Sequence, residues 1–288
     1  MSSWRDWPRG VLEREYSPSS KVRGGTDRYL QAYRSRSLAA LASLAVRRDI
    51  PYGGGPDETL DLFHAASAGP ATLVVFFHGG YWQELGKLDS SFAAPDLVAE
   101  GIALAAVDYT LAPSATLDGI VDQATRAVGW LSANGASLGI DRSRIVVSGH
   151  SAGAHLAAMS ALRLPAGTIA GLVLVGGVFE LEPIARTSIN VALGLDAAAA
   201  RRLSVTPHVR GALPPAAVIW GVDETDEFRR QSRDLVVAWR AAGNEALGIE
   251  VPGRHHFDLP LELADRRSIV GRTTVHLART GQLPDGPV

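Results

Sequence analysis

Six short, mainly apolar runs recur along the chain, at residues 73–77, 102–107, 145–147, 172–175, 217–220 and 247–251. None alternates clearly between polar and apolar positions, which is the pattern of strands buried on both faces. Between them lie segments whose apolar residues suit helices, at 91–100, 118–133, 151–162, 227–242 and 264–279. Strand alternating with helix predicts an α/β fold: a mostly parallel central sheet flanked by helices. Upstream, Thr59-Leu60-Asp61-Leu62-Phe63 does alternate and predicts an antiparallel edge strand. Thr26-Asp27 opens a helix expected through Val46, with Tyr29, Tyr33, Leu38, Leu41 and Leu44 on one face, and this helix is a candidate lid. Residues 1–25 mix Arg, Ser, Pro and Gly without periodicity. They are expected as an N-terminal arm over the surface, leaving 26–288 as a single domain.

A sheet of this kind carries its chemistry at the carboxyl ends of its strands, and the polar motifs of this chain fall there. His78-Gly79-Gly80-Tyr81-Trp82 follows the first run, Asp108-Tyr109 the second, and Ser148-Gly149-His150-Ser151-Ala152-Gly153 the third. In the last of these a β-branched run reaches Gly149, Ser151 follows two residues later, and Gly153 precedes an Ala/Leu-rich segment. This order predicts a nucleophile elbow, a sharp strand-to-helix turn that strains and exposes one serine. The free N–H groups of the helix beginning there suit an oxyanion forming beside Ser151 Oγ.

A serine hydroxyl needs a neutral imidazole to take its proton and a carboxylate to fix the imidazole tautomer. Of eight histidines, His256 is favoured because it follows a strand, Gly253 allows a turn before it, and Phe257 can wedge the loop; His255 is its rival. A histidine base predicts that kcat/KM falls as pH drops through about 6 to 7. The acid is expected after the fifth run, where Asp223, Glu224, Asp226 and Glu227 crowd together, and position alone does not choose among them. Gly79-Gly80 reads as an oxyanion loop, with the N–H groups of Gly80, Tyr81 and Ala152 as donors and Gly79 supplying the turn.

Composition narrows the rest. With 288 residues, 46% of them hydrophobic, the chain can bury one large core. A net charge of -2 gives no basic face for nucleic acid or an anionic membrane, so the expected partner is a small molecule. The absence of cysteine excludes disulfides and thiolate chemistry, and the histidine spacing contains no H-E-x-x-H, so neither a metal nor a cofactor is expected. The first residues lack an apolar signal region and the longest apolar run, 172–179, is too short to span a bilayer; a cytoplasmic location is expected.

Taken together, the motifs resemble the α/β-hydrolases, and within them the kynurenine formamidase (arylformamidase) group, related to the hormone-sensitive-lipase-like esterases. His78-Gly79-Gly80-Tyr81-Trp82-Gln83 resembles that group's oxyanion loop, and Gly149-His150-Ser151-Ala152-Gly153-Ala154-His155 resembles its elbow. The segment from Gly177 to Ile184, Glu227-Phe228-Arg229-Arg230-Gln231-Ser232 and His256-Phe257 are similar to three further stretches of it. The resemblance implies that the acid lies three residues before the Glu-Phe pair, at Glu224, with Asp223 as the alternative, and that His256 is the base. It implies an aryl formamide as substrate, N-formyl-L-kynurenine, with a carboxylesterase or other aryl-amide hydrolase as the alternative. An aromatic leaving group suits aromatic walls, for which Tyr81, Trp82, Phe179 and Phe257 are candidates with Gly79 beside them, while Arg186 is a candidate partner for a carboxylate. A homodimer is compatible with this reading.

Overall fold

The computed structural model describes residues 4–65 and 69–286; residues 1–3 of the expected arm, and 66–68, 287 and 288 of the expected domain, lie outside the described residues. The chain opens with helices α1 (Arg9–Glu15) and α2 (Asp27–Ser43), then strands β1 (Val46–Pro51), β2 (Thr59–Phe63) and β3 (Ala71–Phe77). Next come α3 (Ala94–Ala99), β4 (Ile102–Val107), α4 (Leu117–Asn134), β5 (Ile140–His150), α5 (Ala152–Arg163) and β6 (Gly171–Val175). Short helices α6 (Asn190–Leu193) and α7 (Ala197–Arg202) precede β7 (Ala216–Gly221), α8 (Asp226–Ala241), β8 (Ala246–Val251) and α9 (Ile269–Thr280).

The strands form one sheet in the order β1-β2-β4-β3-β5-β6-β7-β8. β1 and β2 run antiparallel and the other pairs from β3 onward are parallel. All six apolar runs are strands; the last, β8 at the sheet edge, buries only Ile249 and Val251 fully and leaves Glu250 exposed, but the uniform burial of the other five has a direct cause. Leu73, Val75 and Phe77 of β3 point to one core, whereas Val74 and Phe76 point to the other. The first core is closed by α4, α5 and α8 through residues such as Val121, Leu156 and Trp239; the second by α2, α3 and α9 through Tyr33, Leu97 and Leu277. In α4 the buried positions Leu117, Ile120, Val121, Ala124, Ala127, Val128 and Leu131 keep the three-four spacing of one helix face. Its start is capped by Thr116, whose hydroxyl accepts the Gly119 N–H at 3.2 Å.

Three expectations are corrected here. Thr59–Phe63 is antiparallel but is not an edge, because β1 pairs outside it. β1 escapes sequence detection because Ile50 is its only buried residue, and Arg47, Arg48 and Asp49 stand in solvent as an outer strand permits. The helix expected to Val46 ends at Ser43 for the same reason, since the chain must extend into β1. Residues 4–25, read as a surface arm, carry α1 and bury Leu12 and Tyr16 completely or nearly so in the first core. Among the described residues no helix is long and apolar enough to cross a membrane.

Candidate functional site

Ser151 stands between β5 and α5 with φ 56° and ψ -118°, a conformation rare for a non-glycine residue. The turn is possible because its neighbours lack side chains. A Cβ on Gly149 would lie 2.2 Å from the Gly153 carbonyl, and one on Gly153 would lie 2.0 Å from the Phe77 carbonyl oxygen. The Ser151 N–H donates to Val175 O at 2.9 Å, which pins the elbow to the end of β6.

The loop after β3 is strained in turn. Gly80, Tyr81 and Trp82 follow one another at φ 95°, 49° and 61°. Such a turn costs on the order of 1–3 kcal/mol per non-glycine residue and persists only where its surroundings hold it. Here Tyr81 Oη donates to Tyr16 O at 2.7 Å, and the Trp82 carbonyl accepts the Ala112 N–H at 2.8 Å. The Trp82 ring is fully buried edge-on to His155, 5.1 Å between centroids. Beneath the loop, Tyr109 stacks on His78 at 4.2 Å and donates to its carbonyl at 2.9 Å.

From the far side of the sheet, His256 arrives on the loop after β8 and Glu224 on the loop after β7. His256 Nδ1 meets Glu224 Oε1 at 2.6 Å, and Glu224 Oε2 accepts the Gly221 N–H at 3.1 Å. Burial works against charge on both partners. It holds His256 well below the ordinary imidazole value, with His255 adding to the effect, and it raises Glu224 against the opposing pull of the Gly221 N–H. A neutral imidazole is the form a general base requires.

The alternatives lie elsewhere. Asp223 and Asp226 are exposed, and Glu227 is taken up by Tyr16 Oη at 2.8 Å and by Arg230 at 2.7 Å. His255 points to Tyr29 Oη, 2.9 Å from its Nε2. Ser151 and His256 line one cavity of about 360 Å³; a hydrogen bond between them is not among those of the described residues, and such bonds commonly tighten only once substrate is bound.

Of the expected walls, Tyr81 and Phe257 line this cavity together with Gly80. Trp82 and Phe179 do not: both are fully buried, Trp82 against His155 and Phe179 in the first core with its N–H held by Gln231 Oε1 at 2.6 Å. Their apolar bulk anchors loops instead of facing ligand. Gly79 sits behind the lining, where a Cβ would come within 3.1 Å of Ser151 Cβ. Arg186 is exposed and bonded to Arg5 O, away from the cavity.

Part of one wall is absent from the sequence reading: Tyr16, Ser17, Pro18 and Ser19 line the cavity together with Leu30 and Tyr33 of α2, the helix expected as a candidate lid. The sequence signal for residues 16–19 is no more than an aromatic residue two positions before a proline, in a segment too short to show a helical period. Among the described residues no group of three His, Cys, Asp or Glu side chains could hold a metal ion.

A serine strained at the end of the central strand, with a buried acid–histidine pair delivered by the last two strands, defines a hydrolase of the α/β type. Residues 74–258 match the family described as alpha/beta hydrolase fold, and the chain belongs to that family. Within it the chain falls in the kynurenine formamidase group. It is 32% identical to kynurenine formamidase of Danio rerio, over 94% of this chain and 96% of that protein. It is also 32% identical to kynurenine formamidase of Salmo salar, over 92% and 95%. Among solved structures, a Silicibacter sp. protein provisionally assigned as a thioesterase superposes with a TM-score of 0.78 at 30% identity, covering 89% of this chain and 96% of that one.

Proposed function

We propose that this hydrolase cleaves an aryl formamide, N-formyl-L-kynurenine, to L-kynurenine and formate through an acyl-enzyme. The observation that carries the mechanism is the 2.6 Å contact of Glu224 with His256 beside a cavity that Ser151 also lines. Ser151 Oγ attacks the formyl carbon while His256 takes its proton, and Glu224 holds the imidazole with Nδ1 protonated. The N–H groups of Gly80, Tyr81 and Ala152 receive the oxyanion. As the carbon–nitrogen bond breaks, His256 passes its proton to the aryl nitrogen, which leaves as the amine. Water, deprotonated by His256, then releases formate and restores Ser151.

The substrate is supported by the near full-length similarity to two kynurenine formamidases and by a cavity of about 360 Å³ with Tyr81 and Phe257 on its wall. That volume suits one small ligand. The test is kcat/KM for N-formyl-L-kynurenine beside p-nitrophenyl acetate and butyrate. The formamide should be preferred by orders of magnitude, and Ser151→Ala should lower its kcat about a million-fold. Ester cleavage without deformylation would make the protein a carboxylesterase, and near-normal turnover by Ser151→Ala would remove Ser151 as nucleophile.

A further inference from the structure

His150, the residue before the nucleophile, has one nitrogen committed and one left over. Its Nε2 lies 2.8 Å from the carbonyl oxygen of His256. A carbonyl only accepts, so Nε2 carries the hydrogen; with burial holding the ring neutral, Nδ1 is left as a bare lone pair. Among the described residues Nδ1 has no hydrogen-bond partner, and unlike His78 Nε2 and His155 Nδ1 it is not sealed from solvent. It belongs to the cavity lining beside Ser151. Its position within the site follows from Gly79, since a Cβ on that residue would stand 3.1 Å from both His150 Nδ1 and Ser151 Cβ. An unprotonated acceptor is therefore held next to the nucleophile, where the reacting bond of the substrate must lie.

The leaving nitrogen of an amide needs two partners once Ser151 has added to the carbonyl. It becomes tetrahedral, its lone pair must face the proton on His256, and its N–H must then point elsewhere. The rings of His150 and His256 are neighbours, 4.5 Å apart centroid to centroid and inclined at 47°, so one substrate nitrogen can lie within reach of both. We propose that His150 Nδ1 accepts the scissile N–H, turning the nitrogen lone pair toward His256, so that the site selects secondary aryl amides over isosteric esters and over tertiary amides. An ester offers an oxygen lone pair to this acceptor, and a tertiary amide offers a methyl group. The inference rests on the formamide reading above and adds the residue that enforces it.

The test compares 4-nitroformanilide, its N-methyl analogue and 4-nitrophenyl formate, each kcat/KM divided by the rate of the same compound with hydroxide. Wild-type protein should favour the N–H formanilide over the N-methyl compound by about 30-fold or more. His150→Phe should slow all three substrates, because the tie to His256 is lost, but should bring the two anilides within about threefold of each other. His150→Gln, which keeps an acceptor, should recover part of the preference. Equal turnover of both anilides by the wild type would overturn the inference without any variant having to fold. So would an equal loss on anilide and ester in His150→Phe. Cleavage of the formate ester with neither anilide turned over would overturn the inference and the formamide reading together.

Discussion

Gly153→Ala tests whether the closeness of β3 to the elbow helix is what assembles the site. The added Cβ would stand 2.0 Å from Phe77 O and 2.6 Å from His78 O, both of them backbone atoms that no rotamer change can move aside. To restore an ordinary contact of 3.4 Å, α5 and the end of β3 must separate by about 1.4 Å. Overpacking of this kind costs about 1–3 kcal/mol, and the rigid partners place Gly153→Ala at the upper end. The same shift carries Ser151 and the Ala152 N–H away from Gly80 and Tyr81. A misplacement of about 1 Å costs on the order of 100-fold in rate, so kcat/KM should fall at least that far. Gly129→Ala is the control. Gly129 lies within α4, and its added Cβ would meet only Leu164 Cδ2 at 3.6 Å. Alanine there should stabilise the protein by about 0.5–1 kcal/mol and leave activity alone. Urea midpoints and kcat/KM for both variants decide the matter. If Gly153→Ala matches wild type in both measurements, the packing argument for the elbow is wrong.

Burial lowers the proton affinity of His256, so its neutral, active form should persist to lower pH than in a free imidazole. The acid limb of kcat/KM is accordingly expected below pH 6.5, not in the range of about 6 to 7 that an ordinary histidine implies, and a midpoint at or above 6.5 contradicts this. Tyr16→Phe removes a buried hydroxyl that donates to Glu227 at 2.8 Å and accepts from Gln231 at 2.6 Å. Thermal and urea unfolding should show a loss of about 1–3 kcal/mol. Activity should stay within about threefold, because Tyr81 is tied to the Tyr16 backbone carbonyl and not to its ring. An unchanged urea midpoint would show that this network contributes nothing to stability.

The strands and the elbow were legible because their signals are local. A strand covered on both faces must be apolar throughout, as in Leu73 to Phe77, and a strand-to-helix turn this tight admits only glycine on either side of its serine, as at Gly149 and Gly153. Neither inference needs to know what lies across the sheet. β1 was missed because an outer strand with one buried residue has no such signature.

What brings the acid to the histidine is not local. Asp223, Glu224, Asp226 and Glu227 are similar as sequence, and by position alone any of them could orient His256. The fold separates them: Glu224 alone is turned inward to His256, 32 residues away in sequence, while Glu227 is claimed by Tyr16, 211 residues away. In the same way Trp82 and Phe179, aromatic residues in functional loops, were drawn into the core, and Tyr16 to Ser19, with no motif around them, became a wall of the cavity. The sequence by itself determined the α/β architecture and the strained serine, because near-neighbour sterics and solvent exclusion act residue by residue along the chain. Only the tertiary structure decided which carboxylate meets His256, which aromatic rings line the cavity and which nitrogen of His150 is left as an open acceptor, because those placements depend on where distant segments converge.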